Sequence, residues 1–238
     1  MQFAIVDGAR STASPGVTGS CPLCGSRTIS KCGELIAWHW SHASKADCDT
    51  WSEGETRWHI AWKNCAVPEC REVTAGPHRA DIMSRSGLVI ELQHSPIAPS
   101  EIREREAFYG NMVWVLDGSE FKENLVFRYK SDGVAFRWKW ARRSWLSARR
   151  PIYIDLGSGV LFRITWLGSF GGTGHFTNAA SVVANLLGCD ASHLVTMRAG
   201  VAIDRVEQIK RVAIQLSNDG NLWSPLTSAV RKVTNGEG

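Results

Sequence analysis

Two sets of side chains in this 238-residue chain have the types and spacing to do chemistry. The first is a cysteine and histidine set: Cys21 and Cys24 in "CPLCG", then His39, His42 and Cys48. A Cys-x-x-Cys turn aims two sulfurs at one point, and Gly25 lets backbone amides approach the thiolates. Zinc in a structural site takes four soft or borderline ligands in a tetrahedron, and two ligands from a knuckle plus two from downstream supply them. The expected ligands are Cys21, Cys24, His42 and Cys48, with His39 in reserve. Cys32, Cys65, Cys70 and Cys189 read as ordinary cysteines. A zinc deaminase is disfavoured, because its His-x-Glu signature does not occur.

The second set is acidic. In "LVIELQ" a period of two sends Leu88, Ile90 and Leu92 to one face and Val89, Glu91 and Gln93 to the other. Asp81 lies ten residues before Glu91 on the preceding strand. A plain four-residue turn would place Asp81 opposite Ile90, facing the core, where an unpaired carboxylate is costly. Convergence of Asp81 and Glu91 therefore requires a bulge, an odd-length connection or a bent strand, and one is expected. Two converging carboxylates make a hard-oxygen site for Mg²⁺ or Mn²⁺, whose natural chemistry with phosphate esters is phosphodiester hydrolysis. The alternative is ion pairing of the two carboxylates with Arg79 or Arg85. Upstream, Glu55, His59 and Lys63 recur every four residues, so Glu55 or His59 could reach the metal and Lys63 could supply a positive charge. A solvated helical face would show the same spacing.

The elements that must position these residues follow from periodicity. "WSEGETRWHIAWKNC" reads as an amphipathic helix, "CREVTAG" and "HRADIM" as strands, "SRSG" as a turn and "LVIELQ" as a third strand. "SPIAPSEIREREAFYGN" is a helix with Ser100 as its expected N-cap, and "MVWVLDG" is an apolar strand. Helix, strand, strand, strand, helix, strand is an α/β plan. Beyond residue 120, "LVFRY", "VAFRWKW", "PIYIDL" and "VLFRITWL" read as strands, "FGGTGHF" as a flexible loop and "TNAASVVANLLG" as a helix closed by Gly188. The segment from Cys21 to Cys48 reads as loop-rich. Three regions are expected: residues 1–50 with the first strand and zinc knuckle, 51–120 with the α/β core, and 121–238 as a C-terminal extension.

Composition narrows the function classes. With seven cysteines, an odd number, clustered early among histidines, a metal site suits the chain better than a disulfide framework, which points to a reducing compartment. No stretch approaches the roughly 18 apolar residues of a membrane span. The N-terminus lacks a signal-peptide pattern, so a soluble, cytoplasmic protein without membrane contact is expected. Net charge is only +4, so any nucleic-acid surface must be a local patch. One stands between residues 121 and 150, where nine Lys or Arg face two acidic residues and Trp138, Trp140 and Trp145 are interleaved. Such a region could track a phosphate backbone or stack unpaired bases, or it could be a solvated face over buried tryptophans.

Taken in order, "CPLCG", "HWSHASKADCD", "WSEGETRWHIAWK", "RADI", "GLVIELQHSPI", "REREAFYGNMVWVLD" and "PIYIDLGSGVLFRI" resemble the competence protein CoiA-like family of nucleases. The resemblance covers roughly residues 1 to 165 and implies a restriction-endonuclease-like PD-(D/E)XK core. By that likeness Glu55 stands for the family's first-helix acid, Asp81 for its metal aspartate and Glu91 for the second carboxylate. Gln93 occupies the position where the wider superfamily has lysine, a Glu-x-Gln form common in this family. His59 and Lys63 match its helix positions, and Arg105 with Tyr109 matches an Arg-x-x-x-Tyr helix that orients substrate or braces the acids. The chain departs from the family at Cys32, where a basic or polar residue is expected, and after about residue 170. The implied function is a Mg²⁺- or Mn²⁺-dependent nuclease acting on DNA, including single-stranded or recombination intermediates, with protein partners in a DNA-processing or defence system. The alternative is a non-catalytic DNA-binding adaptor with the same fold and zinc knuckle.

Overall fold

The computed structural model describes residues 1–44, 48–52, 54–131 and 133–190. The chain is mixed α/β, built mostly of sheet with few helices. It forms two compact units, one from Met1–Ser95 joined by a short segment beginning at Leu186, the other starting at Pro96. The zinc-knuckle region and the acidic strands thus share one unit, where the sequence suggested a boundary near residue 50. The reason is a set of long-range bonds: the main-chain amides of Gln2 and Phe3 donate to the Glu72 carboxylate at 2.7 and 3.2 Å.

The first unit opens with β1 (Phe3–Val6), β2 (Ala9–Thr12), β3 (Thr18–Ser20), β4 (Arg27–Lys31) and β5 (His39–His42), antiparallel neighbours in the order β2-β1-β3-β4-β5. The stretch from Cys21 to Cys48 is loop-rich, as its sequence suggests, and contributes β4 and β5 to this sheet. Its strands are three to five residues long and polar, too short for alternation to stand out. Their buried core is thin: Met1, Ala4, Ala13, Cys21 and Trp40.

Helix α1 (Arg57–Lys63) follows, capped by Thr56, whose hydroxyl accepts from the His59 amide at 3.2 Å. The helix is shorter than the periodicity suggested, and Glu55 precedes it. Strands β6 (Arg71–Ala75), β7 (His78–Met83) and β8 (Val89–Gln93) then pair antiparallel in order. All five β8 residues are buried, so both faces of that strand are covered. The described C-terminal end returns to this unit, where Asp190 accepts from the Arg85 amide at 2.7 Å and its carbonyl from Val67 N at 2.8 Å.

The second unit contains α2 (Pro99–Tyr109), β9 (Met112–Asp117), β10 (Leu125–Lys130), β11 (Gly133–Trp138), β12 (Ile152–Asp155), β13 (Val160–Gly168) and β14 (Gly171–Asn178); α3 (Ala179–Leu187) follows. Its six strands run β10-β11-β14-β13-β12-β9, with β9 and β12 parallel and the others antiparallel. Phe127, Phe136, Phe162 and Phe176 pack around one another, with ring centroids 4.9 to 6.2 Å apart. A fully buried phenylalanine contributes about 1.5–3 kcal/mol. Ser100 is not the cap of α2: Ala98 is, Pro99 takes the first turn, and no side chain bonds the free amides. "FGGTGHF" is strand β14 rather than a loop. Its glycines answer a close approach of neighbouring strands, since a Cβ at Gly172 would lie 2.0 Å from the Trp166 carbonyl oxygen and one at Gly174 2.2 Å from that of Arg163. Among the described residues no helix is long and apolar enough to cross a membrane. Residues 191–238 lie outside the described residues.

Candidate functional site

The acidic site is built by register. Between β7 and β8 the connection runs from Ser84 to Leu88, five residues instead of four, closed by Ser84 N to Leu88 O at 2.9 Å and turned by Gly87 at φ +80°. Ile82 pairs with Ile90, so Asp81 stands beside Glu91 and not opposite Ile90. The odd-length connection that convergence demands is present. Past Ile82 the ladder opens, and the carboxylates fill it: Asp81 N donates to Glu91 Oε1 at 3.3 Å, and Leu92 N donates to Asp81 Oδ2 at 3.0 Å.

The third carboxylate of this row is one that sequence reasoning missed. Arg71 pairs with Ile82 and Val73 with Ala80, which places Glu72 across from Asp81 on the other side of β7. Glu72 has φ +46°, a left-handed backbone in the middle of a strand, which costs of order 1–3 kcal/mol for a non-glycine residue. The conformation is held because the carboxylate gathers the Gln2 and Phe3 amides and Lys63. The one sequence signal was its position in a strand, nine residues before Asp81, with nothing to announce a buried charge.

Lys63, at the last turn of α1, is the hub. Its ammonium lies 3.0 and 3.1 Å from the two Glu55 oxygens, 2.9 Å from Glu72 Oε1 and 3.2 Å from Asp81 Oδ1. Its side chain is only 4 % exposed. Burial by itself would discharge the amine, but Glu72, Asp81 and Glu55 outweigh it and hold its pKa above the ordinary lysine value. Burial likewise works against the Glu72 carboxylate, yet Lys63 and then Arg79 keep it well below the usual carboxylate range. Arg85, the alternative partner, is engaged elsewhere with Glu69 and Asp190. Of the acids, Asp81 reaches solvent, with 21 % of its side chain exposed, whereas Glu55 and Glu72 do not.

Gln93 is buried and its amide nitrogen donates to the Ser95 carbonyl at 3.0 Å, so the end of β8 is fastened to its own main chain. His59 turns to Thr56, Nδ1 to Oγ1 2.8 Å, and its ring stands 6.2 Å from that of His94. Its Nε2 is buried with no hydrogen-bond partner. Arg105 and Tyr109 belong to the second unit, where Arg105 is buried and bonded to Glu101 one turn earlier on α2.

The cysteine and histidine set converges as its spacing suggested. Cys21, Cys24, His42 and Cys48 present ligand atoms all within 4.8 Å of one another, the one such group among the described residues. Cys21 Sγ lies 3.8 Å from Cys48 Sγ, and Cys24 Sγ lies 3.3 Å from His42 Nε2. Zinc–sulfur bonds of about 2.3 Å give tetrahedron edges of about 3.8 Å, so the quartet could hold zinc. The knuckle is set by Cys21 N to Ser26 O at 2.8 Å, Gly25 N to Cys21 O at 2.9 Å and Gly25 at φ +72°. Burial pushes Cys48 up to about 12; at Cys24 burial is also the largest single influence and raises the thiol, but hydrogen bonds to Ser26, His42 and Cys48 together outweigh it and bring it to about 6. Ligation needs thiolates, and a bound cation produces them. His39 is not in the quartet; its Nδ1 faces the Ala37 carbonyl at 2.8 Å.

Asp49 ties the two sets together. It follows Cys48 directly and accepts from Trp51 N at 3.0 Å, His78 Nδ1 at 2.9 Å and Arg79 N at 2.8 Å. A cavity of about 160 Å³ lies among His39, His42, Cys48, Asp49, Glu55 and Arg79. Comparison of the chain with protein-family models, with curated proteins and with solved structures returned no match.

Proposed function

We propose that the protein is a metal-dependent nuclease acting on DNA, with Asp81 and Glu91 as its cation-binding pair. The observation that carries this reading is the side-by-side placement of those two carboxylates across β7 and β8, next to a buried, charged Lys63. The donor set fits Mg²⁺ or Mn²⁺: two hard oxygens on neighbouring strands, one of them on the partly exposed Asp81. Such an ion supplies activation of a water and neutralisation of phosphate charge. Lys63 fixes the orientation of Asp81 through Oδ1, and Leu92 N fixes it through Oδ2. Glu55 and Glu72 keep Lys63 charged. The role that the wider superfamily gives to a strand lysine falls here to Lys63 from α1, which accounts for glutamine at 93. The quartet of Cys21, Cys24, His42 and Cys48 holds a structural zinc, stabilising a five-stranded sheet whose own core is thin.

One observation favours the adaptor reading. All three ammonium hydrogens of Lys63 have carboxylate partners, so the cluster also works as an ion-pair core that needs no reaction. Incubation of the purified protein with linear, circular and single-stranded DNA in Mg²⁺ or Mn²⁺, beside Asp81→Asn, separates the two. Metal-dependent cleavage lost in Asp81→Asn is expected; intact DNA under every condition, with binding retained, establishes the adaptor.

A further inference from the structure

The second unit carries a groove of about 480 Å³ that the proposed cleavage chemistry does not use. Its lining includes Trp145, Leu146, Arg149, Arg150, Arg163 and Trp166. Between residues 133 and 178 the chain has seven Lys or Arg and one acidic residue, Asp155. Asp155 is turned to the Gly157 amide at 2.9 Å. Among the described residues no carboxylate pairs with Arg149, Arg150 or Arg163. Three guanidinium groups without counter-charge around one groove repel one another, and an anion placed among them removes that repulsion.

The groove is also held in shape. Glu106, buried on α2, accepts from Arg149 N at 2.9 and 3.0 Å, from Arg150 N at 3.0 Å and from the Trp114 indole at 3.0 Å. Its carboxylate is consumed by main chain and indole, so it anchors the Arg149–Arg150 segment without neutralising either side chain. Trp145 beneath is buried edge-on to Trp114, with ring centroids 5.2 Å apart. Trp166, by contrast, is 63 % exposed, and Leu146 is 44 % exposed. A bulge between Ile164 and Trp166 puts Thr165 outside the ladder and turns the indole outward. An exposed indole beside fixed arginines is a stacking platform next to a phosphate clamp.

We infer that this groove binds single-stranded DNA, with a base stacked on Trp166 and backbone phosphates on Arg149, Arg150 and Arg163. Unpaired bases offer the free face that Trp166 needs, which a duplex keeps stacked inside. An acidic peptide would satisfy the arginines and leave the indole unused. The inference is independent of cleavage in the first unit, and its test contains no reaction. Fluorescence anisotropy of labelled dT20 is measured on full-length Asp81→Asn protein, without Mg²⁺ or Mn²⁺, between 50 and 300 mM salt. Binding that weakens with salt is expected, with roughly −0.7 in log–log slope for each phosphate contacted, or about −2 for three. Arg149→Ala with Arg150→Ala should weaken binding at least tenfold and reduce the slope by roughly 1.4. Trp166→Ala should weaken it about tenfold, with Trp166→Phe restoring most of the loss. Both sets of residues are surface-exposed, and unchanged thermal melts confirm intact folding. Equal or tighter binding of duplex or of U20 RNA, displacement by polyglutamate at matched charge, or indifference to the arginine pair overturns the assignment.

Discussion

Replacing Lys63 with methionine tests the centre of the first unit most directly. Methionine keeps the length and apolar stem of the side chain, so the change isolates the ammonium. That ammonium lies within 3.2 Å of Glu55, Glu72 and Asp81 and is almost wholly buried. At an effective dielectric constant near 20, each contact at about 3 Å is worth roughly 5 kcal/mol of gross attraction, offset by several kcal/mol of lysine desolvation. What remains after the substitution is three facing carboxylates, offset only by the N-terminal amine 3.4 Å from Glu55 and by Arg79 near Glu72 and Asp81. Removing one partner from a buried ion pair typically costs about 3–5 kcal/mol, a large share of a normal domain stability of about 5–15 kcal/mol. Urea unfolding followed by tryptophan fluorescence at pH 7.5 should show that loss, and Tm should fall by roughly 6–20 °C at about 2–4 °C per kcal/mol. The deficit should shrink at pH 4, where the orphaned carboxylates take up protons, and it should shrink when Glu72→Gln is added to Lys63→Met. A Lys63→Met protein as stable as the parent, or one whose deficit is the same at both pH values, would refute the reasoning.

Two further outcomes are expected. The purified protein should carry one zinc per chain by elemental analysis, reduced to background in Cys24→Ser and unchanged in Cys65→Ser, and a chelator should lower the Tm of the first and third alike only where zinc was present. Glu72 has its folded pKa depressed below the unfolded value near 4.5, so its contribution to stability is complete above that value and is lost as pH falls toward the folded one. Acid titration of stability below about pH 5 should therefore be shallower in Glu72→Gln than in the parent, and an unchanged acid limb would remove Glu72 from the ion-pair core.

Much of the first unit was legible because its chemistry sits close in sequence. Cys21 and Cys24 share one knuckle turn, and His42 and Cys48 lie close enough in sequence to return to it. Asp81 and Glu91 were legible through strand period, and the demand for an odd connection is met by Ser84 to Leu88. Glu72 was not, because its role depends on a left-handed backbone and on amides at Gln2 and Phe3, contacts that no local pattern records. Glu55 read as part of a helix because the four-residue spacing outweighed Thr56, a good cap that starts the helix after it. Gly171, Gly172 and Gly174 read as loop because glycine usually marks one, whereas here strands press so closely that a side chain has no room.

Asp49 has a kinetic consequence. The Arg79 amide, two residues before Asp81, is bonded to the Asp49 carboxylate, and Asp49 is joined covalently to Cys48. Exchange of that single amide with solvent deuterium requires its bond to Asp49, the residue after Cys48, to open. With zinc loaded on the quartet, exchange of the Arg79 amide is expected to be slower than after chelation, because local opening of β7 then competes with a metal-tethered loop.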